Sequence, residues 1–218
     1  MGGKIKGIAF DLDGVLIDSA GCHRAAFDEV LARFGVFDFN YALYAGWRTV
    51  EVIEIELRRA AGTVDRETIE EAAKEKSRLA REKLAERNPV AEDCLAVLRQ
   101  LGQDYSLALA SSGSRASVEV FLQTNRCRDL FQSILTGDDV AWAKPDPEIY
   151  RRTFSALGVE PAACAVVEDA IAGIQAALGA GGVAVGFAGT CPTEKLREAG
   201  AAHVLERLSE LPGLLPRI

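Results

Sequence analysis

Short apolar runs separated by segments of helical periodicity recur along this chain, and they restrict it to few folds. The first run, residues 4–10, alternates and then becomes wholly apolar before two acidic residues. Runs of this length are typical of strands buried on both faces of a parallel sheet. Further runs lie at 105–110, 131–135, 163–167, 182–187 and 202–205. We therefore predict an α/β fold whose core is a doubly wound, Rossmann-like parallel sheet.

About ninety residues separate the first run from the second, which is far more than a crossover between neighbouring strands requires. Helical patterns occupy this interval, and Pro89 ends the last of them. We therefore predict an inserted all-helical cap domain at 19–89 and a catalytic core domain made of 1–18 and 90–218.

Three helices are predicted inside the insert. The first carries apolar residues at 27, 30, 31 and 34 and ends at Gly35. The second covers 50–61 with Thr49 as its N-cap, and a long charged helix begins at Asp65. Lys76 interrupts the apolar stripe of that third helix, so it either extends to the surface or faces a ligand.

Polar side chains follow four of the predicted strands, and ligands of open parallel sheets bind outside the carboxyl ends of the strands. Carboxylates gathered at one rim repel each other, and a hard divalent cation with oxygen ligands relieves that repulsion. The sequence therefore predicts a Mg²⁺ site among these strand ends. The residues are Asp11, Asp13, Ser111, Lys144, Glu168 and Asp169.

This combination of side chains suits the transfer of a phosphoryl group. A lysine and a metal neutralise the phosphate oxygens, and a hydroxyl such as that of Ser111 donates to one of them. Asp11 is the candidate nucleophile and Lys144 the candidate lysine. Asp13 lies two residues further on, where it can protonate the leaving oxygen and then deprotonate water. Gly14 permits a sharp turn there.

Four motifs occur in an order that resembles the haloacid dehalogenase superfamily, in its phosphatase and β-phosphoglucomutase-like branch. They are FDLDGVLIDS, ALASSGS, AKPDPEIY and VVEDAIAGIQAALGAG. The resemblance implies that Asp11 is the nucleophile, that Ser111 and Lys144 bind the phosphate, and that the insert closes over the site. As metal ligands it implies Asp11, Asp13 through its backbone, Asp169, and an assisting Glu168. Having both Asp13 and Asp169 favours phosphoryl transfer over dehalogenation.

Several residues are candidates for binding the rest of the substrate. His23 resembles a family histidine near the cap hinge, although a structural hydrogen bond explains it equally well. Arg48 lies about one residue out of register with a loop that grips a distal phosphate in β-phosphoglucomutases. Lys76 and Ser112 are the other candidates, and Ser112 also suits hydrogen bonding within its loop.

Three functions remain open at this point. A phosphatase passes the phosphoryl group from Asp11 to water, whereas a sugar-phosphate mutase passes it to a second substrate hydroxyl. A receiver-like signalling module also combines acids, a hydroxyl and a lysine. A receiver needs no large insert after its first strand, so we rank it well below the two enzymes.

The net charge of −7 and the sequence pI near 5.0 argue against nucleic acid or an anionic membrane as a partner. The expected partner is a small phosphorylated metabolite, and the expected assembly is a monomer or a homodimer. The opening apolar run is too short for a signal peptide, and no run of about 18 apolar residues follows. We therefore expect a cytoplasmic protein.

Overall fold

A computed structural model describes residues 4–44, 47–91 and 93–218. In these ranges six parallel strands form one sheet in the order β3-β2-β1-β4-β5-β6. This order confirms the doubly wound α/β fold and places the switch in strand order beside the central β1. The strands are β1 (Gly7–Phe10), β2 (Ser106–Ala110), β3 (Ser133–Leu135), β4 (Cys164–Glu168), β5 (Val183–Phe187) and β6 (His203–Leu205).

Helices connect the strands and build the insert. The chain returns from the insert to the sheet through α4, which begins at Cys94. The helices are α1 (Ala20–Ala32), α2 (Thr49–Ala61), α3 (Arg66–Arg87), α4 (Cys94–Leu101), α5 (Arg115–Asn125), α6 (Glu148–Leu157), α7 (Ile171–Gly179), α8 (Thr193–Glu198) and α9 (Leu211–Leu214).

The sheet is buried on both faces, and alternate residues of each strand pack on opposite sides. In β1, Ile8 and Phe10 belong to one apolar cluster, whereas Ala9 belongs to a second cluster on the other face. The sequence of β1 is apolar throughout for this reason, and its carboxyl end is held rigidly between β2 and β4.

The insert has an apolar cluster of its own, made by α1, α2, α3 and the segment before α2. Asp65 caps α3 by accepting a hydrogen bond from the backbone N–H of Thr68, as predicted. Two details differ from prediction: Thr49 is the first residue of α2, so Arg48 occupies the N-cap position. Phe34 lies beyond the end of α1 with 39% of its surface exposed, so it is not part of the buried stripe.

The two chain crossings between the sheet and the insert run side by side. The backbone N–H of Asp18 donates to the carbonyl of Pro89, and that of Ala91 donates to Leu16. These crossings fall next to the predicted boundaries at 18 and 90, and they support the two-domain division, which stays a prediction. Among the described helices, none combines the length and apolarity needed to cross a bilayer.

Candidate active site

The carboxyl ends of β1 and β4 bring three buried carboxylates together. Asp11 follows β1, Glu168 ends β4, and Asp169 comes next. Each offers an oxygen that lies within 4.8 Å of those of the other two. The parallel register aligns the two strands end to end, because Phe10 pairs with Val167. These three residues were predicted as metal ligands, and the fold places them where one cation can contact all three.

Lys144 enters this cluster from the loop before α6. Its ammonium donates to Asp11 Oδ1 and to Glu168 Oε1, both at 2.6 Å, and to the carbonyl of Ala110 at 3.0 Å. Tyr150, one turn into α6, donates its hydroxyl to the same Glu168 oxygen at 2.5 Å. The lysine is therefore fixed against the proposed nucleophile by partners from three different elements.

Three carboxylates face one ammonium in this pocket, so the described groups leave an excess of negative charge. Burial raises the pKa of Asp11, and Glu168 and Asp169 raise it further against the opposing effect of Lys144. Burial and the charge of Glu168 raise the pKa of Asp169 to about 7. Carboxylate oxygens with uncompensated charge are the ligands that hard divalent cations prefer. The donor set thus fits a divalent cation.

A chain of hydrogen bonds links the insert to Asp13. His23 of α1 contacts Asp13 Oδ1 through Nε2 at 3.1 Å, and Lys76 of α3 contacts His23 Nδ1 at 3.0 Å. An ammonium only donates, so Nδ1 accepts from Lys76 and Nε2–H donates to Asp13. His23 and Lys76 were uncertain from the sequence. Lys76 is only 3% exposed, so the alternative that it extends to the surface is wrong.

The electrostatics of this chain keep Asp13 ionised. Burial alone would raise the pKa of Asp13, but hydrogen bonds from His23 and Ser19 and the positive charge of Lys76 outweigh it and hold the pKa at about 2. Burial lowers the pKa of Lys76 to about 8, with Asp13 opposing that shift. Lys76 also lies 4.1 Å above the ring centre of Phe27, which gives its buried charge a further favourable contact.

Gly14 allows the nucleophile loop to approach Asp169 closely. Its φ is +82°, and a Cβ at this position would lie 1.9 Å from Asp169 Oδ2. The predicted sharp turn is confirmed, and the structure adds a second reason for glycine. A side chain here would displace the Asp169 carboxylate from the cluster.

A cavity of about 360 Å³ lies between the sheet and the insert, and Ser111 is not among the described residues that line it. Ser111 is fully buried at the end of β2, and its Oγ accepts from the backbone N–H of Gly113. Ser112 and Arg48 line the cavity. Arg48 also donates to the carbonyl of Ala141 at 3.4 Å, so it joins the insert to a loop of the core.

Sequence reasoning missed four residues at this site. Thr190 hydrogen bonds to Asp169 from the loop after β5, and Tyr41 and Tyr44 line the cavity from the insert. Tyr150 supports Glu168, as described above. Thr190 could have been found, because it follows a predicted strand as the other candidates do. The tyrosines carried no periodic or strand-end signal.

Comparison with known proteins matches residues 5–181 to the haloacid dehalogenase-like hydrolases. The chain belongs to this family. The match spans all four motifs, and it confirms the family that the sequence motifs indicated. The predicted enzyme class, a hydrolase of the phosphatase type, is confirmed as well.

Three similar proteins place the chain in the phosphatase and phosphomutase branch of the family. Validoxylamine A 7'-phosphate phosphatase of Streptomyces hygroscopicus subsp. limoneus is 34% identical over 93% of each chain. CbbY of Rhodobacter sphaeroides, solved in complex with xylulose-1,5-bisphosphate, superposes with a TM-score of 0.83 at 29% identity, covering 95% of this chain and 96% of that one. A β-phosphoglucomutase of Clostridium difficile superposes with a TM-score of 0.82 at 25% identity, covering 95% and 93%.

Proposed function

We propose that the protein is a Mg²⁺-dependent phosphatase that hydrolyses a small phosphorylated metabolite through an aspartyl phosphate on Asp11. The observation that carries this proposal is the position of the Asp11 carboxylate. It lines the cavity, contacts Lys144 at 2.6 Å, and belongs to the acidic cluster with Glu168 and Asp169. Relatives that act on phosphate esters, among them the validoxylamine phosphate phosphatase, support a sugar-like substrate.

In the first half-reaction, a carboxylate oxygen of Asp11 attacks phosphorus and the ester oxygen leaves. Lys144 neutralises charge on the phosphoryl oxygens, and the Ser111 hydroxyl is proposed to donate to one of them. Asp13 delivers a proton to the leaving oxygen. The phosphate dianion of an entering substrate raises the pKa of Asp13, so this carboxyl gains a proton when substrate binds.

In the second half-reaction, water attacks the aspartyl phosphate and regenerates Asp11. Asp13 takes the proton from that water, and the hydrogen bond from His23 holds its carboxylate in place. The same residue thus serves as acid and then as base, so one round of catalysis restores the starting protonation state.

The proposed Mg²⁺ would be held by Asp11, Asp169 and the backbone of Asp13, with Glu168 assisting. When bound, it supplies Lewis-acid neutralisation of the phosphate charge. Glu168 also accepts hydrogen bonds from Lys144 and Tyr150 through Oε1. Its other oxygen, Oε2, would therefore be the one that assists in binding the metal.

A phosphomutase is the second candidate, and the contact of His23 with Lys76 favours it. Both side chains come from the insert, and His23 contacts Asp13 directly while Lys76 is linked to it through His23, so a substrate that reorients beneath them would stay near Asp13. The structural neighbour from Clostridium difficile, a β-phosphoglucomutase, also supports this candidate. Arg48 argues against it, because its contact with Ala141 occupies the guanidinium that would grip a distal phosphate.

A panel of phosphorylated sugars, polyols and small acids with Mg²⁺ distinguishes the two candidates. Phosphate release and isomerised product are both measured for each compound. A phosphatase releases one phosphate per ester consumed, whereas a mutase converts most substrate to an isomer before phosphate appears. Failure to act on any ester would contradict the proposed function.

Replacing Lys76 with alanine is expected to lower kcat/KM for the best sugar phosphate about ten- to hundredfold more than for p-nitrophenyl phosphate. Loss of one charge-assisted contact costs about 1.5–3 kcal/mol, which corresponds to that factor. Nitrophenol is an acidic leaving group that needs little protonation, so weaker support of His23 affects it less.

Lys74→Ala is the matched control, because Lys74 lies on the same helix with its side chain exposed. It should leave both substrates unaffected. Equal losses for both substrates in Lys76→Ala would contradict the selective effect expected on the sugar phosphate.

A further inference from the structure

Glu56 is a buried carboxylate in the apolar face of α2. Its neighbours on that face, Val52, Ile53 and Leu57, are fully buried and pack in the cluster of the insert. Glu56 is itself only 3% exposed. Burying a carboxylate is unfavourable unless its oxygens are hydrogen bonded, and an apolar residue would fill the same place without that cost. The burial of the Glu56 carboxylate is therefore expected to serve a specific function.

The two oxygens of Glu56 have different partners. Oε1 accepts from the hydroxyl of Tyr44 at 2.6 Å. Oε2 accepts from Arg59 Nε at 2.9 Å and from Nη2 at 2.7 Å. Arg59 also donates through Nη1 and Nη2 to the two oxygens of Asp38. The Arg59 guanidinium compensates the charge of Glu56 through Oε2. The other oxygen, Oε1, is therefore used only for the hydrogen bond from Tyr44.

Tyr44 forms part of the cavity wall on the side of the insert. Its ring stacks on Phe39 with centroids 5.7 Å apart and planes 8° apart, and it meets the edge of Trp47 at 5.9 Å. Trp47 also lines the cavity and is 55% exposed, so it is not part of the buried core of the insert. Three contacts thus fix the orientation of one aromatic ring beside the substrate space.

We propose that Tyr44 is a specificity-determining residue and that Glu56 is the positioning residue that holds it. The aromatic wall of Tyr44 and Trp47 would bind the apolar face of a ring in the organic part of the substrate. His23 and Lys76 also line the cavity, and their polar groups suit the hydroxyls of that ring. The substrate class is therefore a cyclic, hydroxylated phosphate monoester. This inference rests on the proposed phosphatase function.

Two conservative variants test the link between Glu56 and Tyr44. An amide has one acceptor oxygen, and the charged Arg59 guanidinium competes with the tyrosine for it, so Glu56→Gln should lose the hydrogen bond from Tyr44. Tyr44→Phe keeps the ring and its packing and removes only the hydroxyl. Glu51→Gln, an exposed change on the same helix, is the matched control. Melting temperatures of all variants establish that they fold.

The measured quantity is the ratio of kcat/KM for a cyclic ester, with glucose 6-phosphate as first choice, to kcat/KM for acetyl phosphate. Acetyl phosphate has no ring to contact the wall. We expect each single variant to lower the ratio roughly fivefold, mainly through KM, because the lost hydrogen bond orients the ring and does not itself touch the substrate. The double variant should be no worse than either single variant, because both remove the same hydrogen bond.

A parent-like ratio in both single variants would overturn the inference, and so would a fall in only one of them. A double variant whose loss is the product of the single losses would overturn it as well, because the two residues would then act independently. A parent that hydrolyses acetyl phosphate but no cyclic ester would overturn the substrate class alone. A parent that hydrolyses neither would overturn the proposed function instead.

Discussion

Replacing Asp11 with asparagine is expected to lower turnover of p-nitrophenyl phosphate by roughly a thousandfold or more, because an amide is isosteric with the carboxylate but is a poor nucleophile. The fold should survive. Lys144 keeps Glu168 and the Ala110 carbonyl as partners, and one of three mutually repelling carboxylates is removed. We therefore expect a melting temperature within a few degrees of that of the parent.

Asp104→Asn is the matched control, since Asp104 is exposed in the turn after α4, at the amino end of β2 and therefore opposite to the active-site end of the sheet. It should retain parent activity. A second readout is chemical: the parent, quenched with acid during turnover, should carry a phosphoryl group that Asp11→Asn lacks. Substantial turnover by Asp11→Asn would contradict the proposed mechanism, and a labelled variant would place the nucleophile elsewhere.

Removal of divalent cations with EDTA is expected to abolish activity, and Mg²⁺ should restore it. The buried carboxylates of Asp11, Glu168 and Asp169 face the single ammonium of Lys144, so substrate phosphate would meet repulsion without a cation. In Asp169→Asn the Mg²⁺ concentration for half activity should rise at least about tenfold, because a charged ligand becomes neutral.

Binding can be followed without turnover as the rise in melting temperature on adding Mg²⁺. That rise should be large in the parent, small in Asp169→Asn, and parent-like in Asp104→Asn. Activity that resists EDTA would contradict the metal dependence. Loss of activity in Asp169→Asn with an unchanged Mg²⁺ response would show that Asp169 acts otherwise than as a ligand.

The Asp169 carboxylate makes the stability of the folded protein depend on pH in a direction that can be derived. The pKa of Asp169 is raised to about 7, so the folded metal-free protein binds a proton that the unfolded chain has already lost. Its contribution therefore favours the folded state at low pH and is lost as pH rises from about 4 to about 7. Because Mg²⁺ competes with this proton, the Mg²⁺ requirement should increase as pH falls below about 7.

The strand-end residues could be predicted from the sequence because a buried strand leaves a local signal. Asp11 and Glu168 each adjoin a run of apolar residues, and parallel strands that share a sheet must end at the same rim. The same rule, applied to the strand Val183–Phe187, would have added Thr190. Side chains that α6 directs back into the cluster, such as Tyr150, leave no such signal.

The sequence by itself determined the fold class, the four motifs, the family and the acidic strand ends that predict a cation. These depend on residue order and on apolar patterning, which are properties of the chain before it folds. Only the tertiary structure decided that Lys76 is buried against His23, that His23 reaches Asp13, and that Glu56 holds Tyr44 at the cavity. Each of these contacts joins different helices, or a helix to a loop, and its geometry depends on how the insert packs over the sheet. Local sequence patterns do not predict that packing.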